Sequence, residues 1–148
     1  MGTTKAVSRD TDLMFLLSCA HHALLSEQTA GLAPLGITPR DRWLLDRAKA
    51  GFMTQRELAV ACGLDKTTMV AVVDRLEDVG LVERRPSAVD RRAWLIAVTE
   101  KGRRLVSRAN KIVERIHRDV LAGLPPDVRV GLVSGLEWLV AGRAAGGS

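Results

Sequence analysis

Between Ser87 and Trp94 the chain carries three charges, Asp90, Arg91 and Arg92, inside the run RPSAVDRRAWLIAVTEKG from Arg85 to Gly102. Guanidinium groups at the tip of a turn match the narrow, electronegative minor groove of duplex DNA. A carboxylate two residues away can hold such a group in one orientation, and Asp90 is placed to do so for Arg92 or for Arg91. A second set of residues lies upstream. Lys66, Thr67 and Thr68 open a helix directly behind Asp65, where free backbone amides favour phosphate and where the side chains suit phosphate or base edges. On the outward stripe of the same helix, Val70 and Ala71 offer only thymine-methyl or sugar contacts, and Arg75 stands at its edge. Thr54 and Gln55, which open the preceding helix, complete the expected DNA-contact set: Thr54, Gln55, Lys66, Thr67, Thr68, Val70, Ala71, Arg75, Asp90, Arg91 and Arg92.

Other reactive side chains fit poorly into sites. His21 and His22 are adjacent on a helix and so face about 100° apart, and no Asp/Glu/Cys set near them or near His117 completes a metal site. No metal and no cofactor is expected. Cys19 and Cys62 are too few for a disulfide framework or a zinc cluster, and no basic neighbour on its helix activates the Cys19 thiol. Neither a nucleophile–base pair nor a phosphate loop is present, so the chain does not read as an enzyme. Arg104, Arg108, Lys111, Arg115 and Arg118 form a basic stripe that reads as a solvated helix face.

The elements that must carry these residues follow from periodicity and punctuation. Residues 11–30 predict a long first helix, with Leu13, Leu16, Leu17, Ala20 and Leu24 on one stripe and Met14, His21 and Leu25 beside it. Gly31, Pro34 and Gly36 are expected to break it. Thr38 caps a second helix with Pro39 at its first position and Leu44, Leu45 and Ala48 inward. Thr54 and Glu57 form a capping box on a third, which ends at Gly63. Asp65 caps a fourth, running towards Gly80, with Met69, Val72, Val73, Leu76 and Val79 predicted inward. Helix, glycine turn, helix is a helix-turn-helix. The extended run Leu81–Arg85 and the alternating run Ala93–Val98 then make a β-hairpin, with Trp94, Ile96 and Val98 on one face. A helix-turn-helix followed by a hairpin is a winged helix. Thr99 caps a long fifth helix centred on Leu105, Ala109, Ile112 and Ile116 and flanked by Val106, Val113 and Val120. Pro125-Pro126-Asp127 starts a sixth with Val128, Leu132, Leu136, Leu139 and Val140, and the tail AGRAAGGS reads as frayed.

Composition agrees. The 148 residues suffice for one domain, only five of them are aromatic (three Trp, two Phe, no Tyr), and the net charge is +5. That charge and a pI near 9.9 fit an anionic partner. The opening MGTTKAVSRDTD has no signal-peptide core, and no apolar run reaches the roughly 20 residues of a membrane span, so a cytoplasmic location is expected. The fold expected is mostly helical with a small β-hairpin wing: a winged helix-turn-helix lobe at 38–98, flanked by dimerisation helices at 11–32 and 99–144 within a single domain, 1–148.

The run LDKTTMVAVVDRLEDVGLVERRPSAVDRRAWLIAVTEKG, with its Asp-Arg-Arg wing and Thr-Glu-Lys-Gly exit, resembles the MarR (multiple antibiotic resistance regulator) family of winged-helix transcription factors. The motif part spans residues 54–104, and the flanking helices match in order and length. The resemblance implies a homodimer whose first helix and last two helices interlock, a palindromic double-stranded DNA site, and often a small-molecule effector between the dimer domain and the DNA-binding lobes. It places Asp90 and Arg92 at the wing tip and Lys66, Thr67 and Thr68 on the recognition helix. Many members carry a polar residue and then an arginine where this chain has Val70 and Ala71. Met14, His21, Leu25, Arg40 and Trp43 are the residues expected to bind an apolar or aromatic anion, in a cleft between the first helix, the second helix and the start of the fifth. A chain of this kind is expected to be a ligand-responsive repressor. The alternative left open is a dimeric winged helix that binds protein, with Val70 and Ala71 as contact residues.

Overall fold

A computed structural model describes residues 12–144; the opening segment 1–11 and the end of the tail read above as frayed lie outside the described residues. Helix α1 covers Leu13–Leu32, α2 Pro39–Ala48, α3 Gln55–Cys62 and α4 Lys66–Asp78. Strands β1 (Val82–Pro86) and β2 (Trp94–Val98) follow, then α5 (Glu100–Ala122) and α6 (Pro126–Ala144). The described residues fall into two compact units, 12–109 and 110–144.

In the first unit each helix start is closed by the residue its chemistry selects. Asp12 accepts from the Phe15 amide at the start of α1. Thr38 and Asp41 form a reciprocal capping box on α2, and Thr54 and Glu57 do the same on α3, so two otherwise unpaired amides are satisfied at each end. Asp65 accepts from the Thr68 amide at the start of α4. The helix-turn-helix turn is made at Gly63, whose φ of 64° suits a residue without a Cβ.

The core of this unit is aliphatic: Leu32, Ile37, Leu44, Leu45, Leu58, Met69, Val73, Leu76, Leu81 and Ile96 are buried. The strands pair antiparallel, Val82 opposite Val98, Arg84 opposite Ile96 and Pro86 opposite Trp94. On its other edge β2 meets the segment before α3: Thr54 bridges Leu95, and the Ile96 amide donates to the Met53 carbonyl at 3.2 Å. The hairpin is therefore tied to the helix-turn-helix on both sides.

Four details differ from the sequence expectation. Helix α1 continues through Gly31, because buried Leu32 anchors its last turn, and the break comes at Pro34 and at Gly36 with φ 71°. Val79 is 48% exposed, since α4 ends at Asp78 and Val79 leaves the helical stripe. In β2 Ala97 is buried along with Ile96 and Val98, so the inner half of the strand is covered on both faces, while Trp94 at the tip end is half-exposed. On α5 the buried line is Gly102, Val106, Ala109 and Val113, one position round from the predicted centre.

The exit from the hairpin explains the Thr-Glu-Lys-Gly run. The Thr99 hydroxyl donates to the Gly80 carbonyl and accepts from the Gly102 amide, which caps α5. Gly102 lies so close to the chain at Leu81 that a Cβ there would stand 2.2 Å from the Leu81 carbonyl oxygen.

The second unit holds the remainder of α5 and all of α6. Helix α6 exposes Val128, Val130, Leu132, Val133, Leu136, Trp138, Leu139 and Val140, and α1 exposes Leu13, Met14, Phe15 and Leu16. No described helix is long and apolar enough to cross a membrane.

Candidate nucleic-acid interface

The first turn of α4 presents Lys66 and Thr67 to solvent, next to the free amides of a helix start. Thr68 is turned back: its amide and its hydroxyl both donate to Asp65, at 2.9 and 2.6 Å. These bonds hold the Asp65 carboxyl below the ordinary carboxylate range. Ala71 is exposed and Val70 half-buried along the same stripe. At the start of α3 the Thr54 hydroxyl is engaged by its capping box and the Gln55 amide oxygen accepts from Arg84 Nε at 3.1 Å.

The wing tip is built by backbone-directed bonds. Ser87, nearly buried, accepts from the amides of Val89 and Asp90, and its own amide donates to the Ala93 carbonyl. The Asp90 carboxylate accepts from the Arg92 backbone amide at 2.9 Å. Its hold is therefore on the turn, not on a guanidinium as the sequence spacing predicted, because a two-residue Asx turn brings the amide within reach first. Arg91 and Arg92 are exposed, and neither side chain makes an ion pair among the described residues.

Three arginines of this lobe are engaged by acids. Arg84 bonds Asp74 and Glu77, each at 2.5 Å. Burial acts to lower its pKa, and the bonds to the two carboxylates outweigh this and raise it. Arg85 pairs with Glu83. Arg75 grips Asp41 through both terminal nitrogens, which raises the arginine's pKa against the opposing effect of burial.

Beside this last pair lies a cavity of about 400 Å³ lined by His21, Leu25 and Thr29 of α1, by Thr38, Pro39, Arg40, Asp41 and Trp43 around α2, and by Val72 and Arg75 of α4. Aromatic, aliphatic and cationic groups converge there, the chemistry of a pocket for an apolar anion.

The sequence model of the MarR family matches residues 35–93. A crystal structure described as a transcriptional regulator (MarR family) from Rhodococcus sp. RHA1 is 34% identical, with a TM-score of 0.79, over 90% of this chain and 96% of that one. The chain belongs to the MarR family. MarR proteins are transcriptional regulators, a family that is not one of enzymes. Two further relatives are structures of CouR. One, from Rhodococcus jostii RHA1 and bound to p-coumaroyl-CoA, is 34% identical with a TM-score of 0.76, over 90% of this chain and 95% of that one. The other, a transcriptional repressor bound to a 23-mer DNA duplex, is 32% identical with a TM-score of 0.80, over 86% of this chain and 92% of that one.

Within this MarR-family fold the expected residues separate into two places. Lys66, Thr67, Ala71, Asp90, Arg91 and Arg92 lie on the α4 start and the wing. Arg75 does not join them; its guanidinium is taken by Asp41 at the cavity. Of the expected ligand residues, His21, Leu25, Arg40 and Trp43 line that cavity. Met14 does not: it is 74% exposed and stands about 10 Å further along α1 than His21. The third wall is α4, not α5, since Val72 and Arg75 face the gap between α1 and α2. Sequence reasoning missed Asp41 as a buried partner of Arg75, and Ser87 and Arg84 as organisers of the wing. An acid two residues after Pro39, in a stretch otherwise read as a simple cap, was the signal for the first. Among the described residues no three His, Cys, Asp or Glu side chains gather as a metal site.

Proposed function

We propose that this chain is a homodimeric, sequence-specific regulator of transcription that binds a palindromic double-stranded DNA operator and releases it when an aromatic or apolar anion fills the cavity. The carrying observation is a sorting of charge: Arg75, Arg84 and Arg85 are paired internally, whereas Lys66 at the α4 start and Arg91 and Arg92 on the wing are exposed and free of ion pairs among the described residues. Helix α4 would enter the major groove by its first turn and the wing arginines the minor groove. Thr54 and Gln55 at the α3 start, with Thr68, Val70 and Asp90, complete the contact surface. Arg75, paired with Asp41, lines the wall of the cavity.

Dimerisation is read from the apolar residues that α1 and α6 each leave exposed, more than a monomer commonly keeps. The two recognition helices would then read half-sites about 34–36 Å apart. The single domain 1–148 thus divides its work between dimerisation helices (11–32 and 99–144) and a DNA lobe (38–98). Such a regulator acts in the cytoplasm, beside the chromosome. The DNA complex of CouR supports the operator reading, and its complex with p-coumaroyl-CoA supports an aromatic acyl group as the ligand class.

Selection of bound duplexes from a random DNA pool, followed by binding at rising salt, tests the proposal. It expects an enriched palindrome and an affinity that falls steeply, with a slope of about −0.9 per phosphate contacted. Recovery of no enriched sequence, with binding insensitive to salt, overturns it in favour of a protein-binding winged helix. Light scattering that shows a monomer at micromolar concentration overturns the dimer.

A further inference from the structure

Helix α4 carries three acids in its C-terminal half, Asp74, Glu77 and Asp78. Acids at that end oppose the helix dipole, and on a helix that approaches DNA they oppose phosphate as well. Asp74 is the sensitive one. It follows Thr67 and Ala71 on the same stripe, at positions i, i+4 and i+7, and its side chain is 56% exposed.

One arginine answers both nearer acids. Arg84, in the middle of β1 and only 19% exposed, sends Nη2 to Asp74 Oδ1 and Nη1 to Glu77 Oε2, each at 2.5 Å. Its Nε reaches Gln55 Oε1 at 3.1 Å, and its backbone amide donates to the other Glu77 oxygen at 3.2 Å. A single planar fork thus joins α3, α4 and β1, which an ammonium group with the same charge cannot do in three fixed directions.

We propose that Arg84 is the internal counter-cation of α4: by cancelling Asp74 and Glu77 it lets the helix approach phosphate, and it sets DNA affinity without touching DNA. This rests on the DNA-binding reading above. Arg84 is a positioning residue, and two simpler roles give different results. As a mere cross-link it would be broken equally by removing Arg84 or Asp74. As a phosphate contact its loss would lower the salt slope by about 0.9, and no acid would rescue it.

The test is fluorescence anisotropy with a fluorescein-labelled mixed-sequence DNA duplex, because non-specific binding isolates the electrostatic part. Thermal melting of each variant ensures that only folded protein is compared. Arg84→Met should weaken binding about three- to tenfold at low salt, a defect that shrinks as salt screens the uncovered acids. Asp74→Asn in that background should restore most of the loss, and Arg84→Lys should fall between Arg84→Met and the parent. Asp74→Asn alone should bind as tightly as the parent or about twofold more tightly, a result that stands even if Arg84→Met does not fold. Weaker binding by Asp74→Asn alone, or an Arg84→Met defect that Asp74→Asn leaves in place, overturns the proposal while leaving the DNA reading intact. Absence of salt-sensitive binding by the parent overturns the DNA reading, and this inference with it.

Discussion

Replacing Asp41 by asparagine tests the pair that anchors α4 against α2. The Asp41 side chain is completely buried, while that of Arg75 is 47% exposed. Asp41 accepts from the Thr38 amide at 2.8 Å and from Arg75 Nη1 at 3.1 Å, with a further bond from Arg75 Nη2. Asparagine keeps one acceptor oxygen and turns an NH₂ towards the donors that the second oxygen served. Breaking a buried ion pair from one side costs roughly 3–5 kcal/mol when the remaining charge is stranded in the interior. Here the remaining arginine can turn to water, so the cost of Asp41→Asn should fall to about 2 kcal/mol. The reverse change is worse. Arg75→Met leaves a buried carboxylate with the Thr38 amide alone and should cost about 3–5 kcal/mol. The double variant should then be more stable than Arg75→Met alone, because the stranded charge is gone. Melting followed by circular dichroism, at one fixed protein concentration, should show a drop of about 4–8 °C for Asp41→Asn and a larger one for Arg75→Met. Equal melting of Asp41→Asn and the parent, or additive losses in the double variant, would refute this account of the pair.

Gly102→Ala should destabilise the protein by about 2 kcal/mol, reversing the roughly 1 kcal/mol that alanine usually gains inside a helix, because the new methyl meets the Leu81 carbonyl oxygen and Val98; urea unfolding measures the sign. Arg92→Ala should weaken operator binding about tenfold with its melting temperature unchanged, since a wing-tip side chain supports no core; a large fall in melting temperature with unchanged affinity per folded dimer would make the wing structural. Acid should loosen α3 and α4 together. The Glu57 carboxyl is held below its ordinary range by the amide and hydroxyl of Thr54, and the Asp65 carboxyl is held down by the hydroxyl and amide of Thr68. A depressed carboxyl contributes stability above its unfolded pKa and loses it as pH falls through the folded value. The loss therefore comes below about pH 4, and melting curves of Glu57→Gln/Asp65→Asn should depend less on pH there than those of the parent.

What could be read from the sequence was what local chemistry decides. The caps at Thr38, Thr54 and Asp65 are i to i+3 events, and the turn at Gly63 needs only one residue free of a Cβ, so each showed in a short window. The inward stripe of α4 showed because helical geometry repeats, and it failed at Val79 where the helix stops. Pairings between distant residues left no such trace. Asp41 and Arg75 lie 34 positions apart and Gln55 and Arg84 lie 29 apart. Composition shows charges but not which of them meet. For the same reason the sequence placed Arg75 at the edge of the right helix but did not show its bond to Asp41. The cavity was half visible: His21, Leu25, Arg40 and Trp43 stand on α1 and α2 as periodicity says, while its third wall depends on how α4 packs. Periodicity along one helix does not contain that information.

The pairing pattern also explains why a chain with a modest net charge of +5 can present a strongly cationic edge. Charge on the DNA lobe is sorted by pairing. Arg84 and Arg75 lie along the flanks of α4, where acids from the same helix or from α2 consume them, and the flanks become nearly neutral. Beyond those flanks, at the α4 start and the wing tip, the nearby acids are spent on amides instead: Asp65 on Thr68 and Asp90 on Arg92. Those carboxylates shape the backbone and leave Lys66, Arg91 and Arg92 without a competing partner. An acid that caps a turn and an acid that clamps an arginine are the same residue type in the sequence. The distance to the nearest amide decides between them, and with it which arginines remain available to a polyanion.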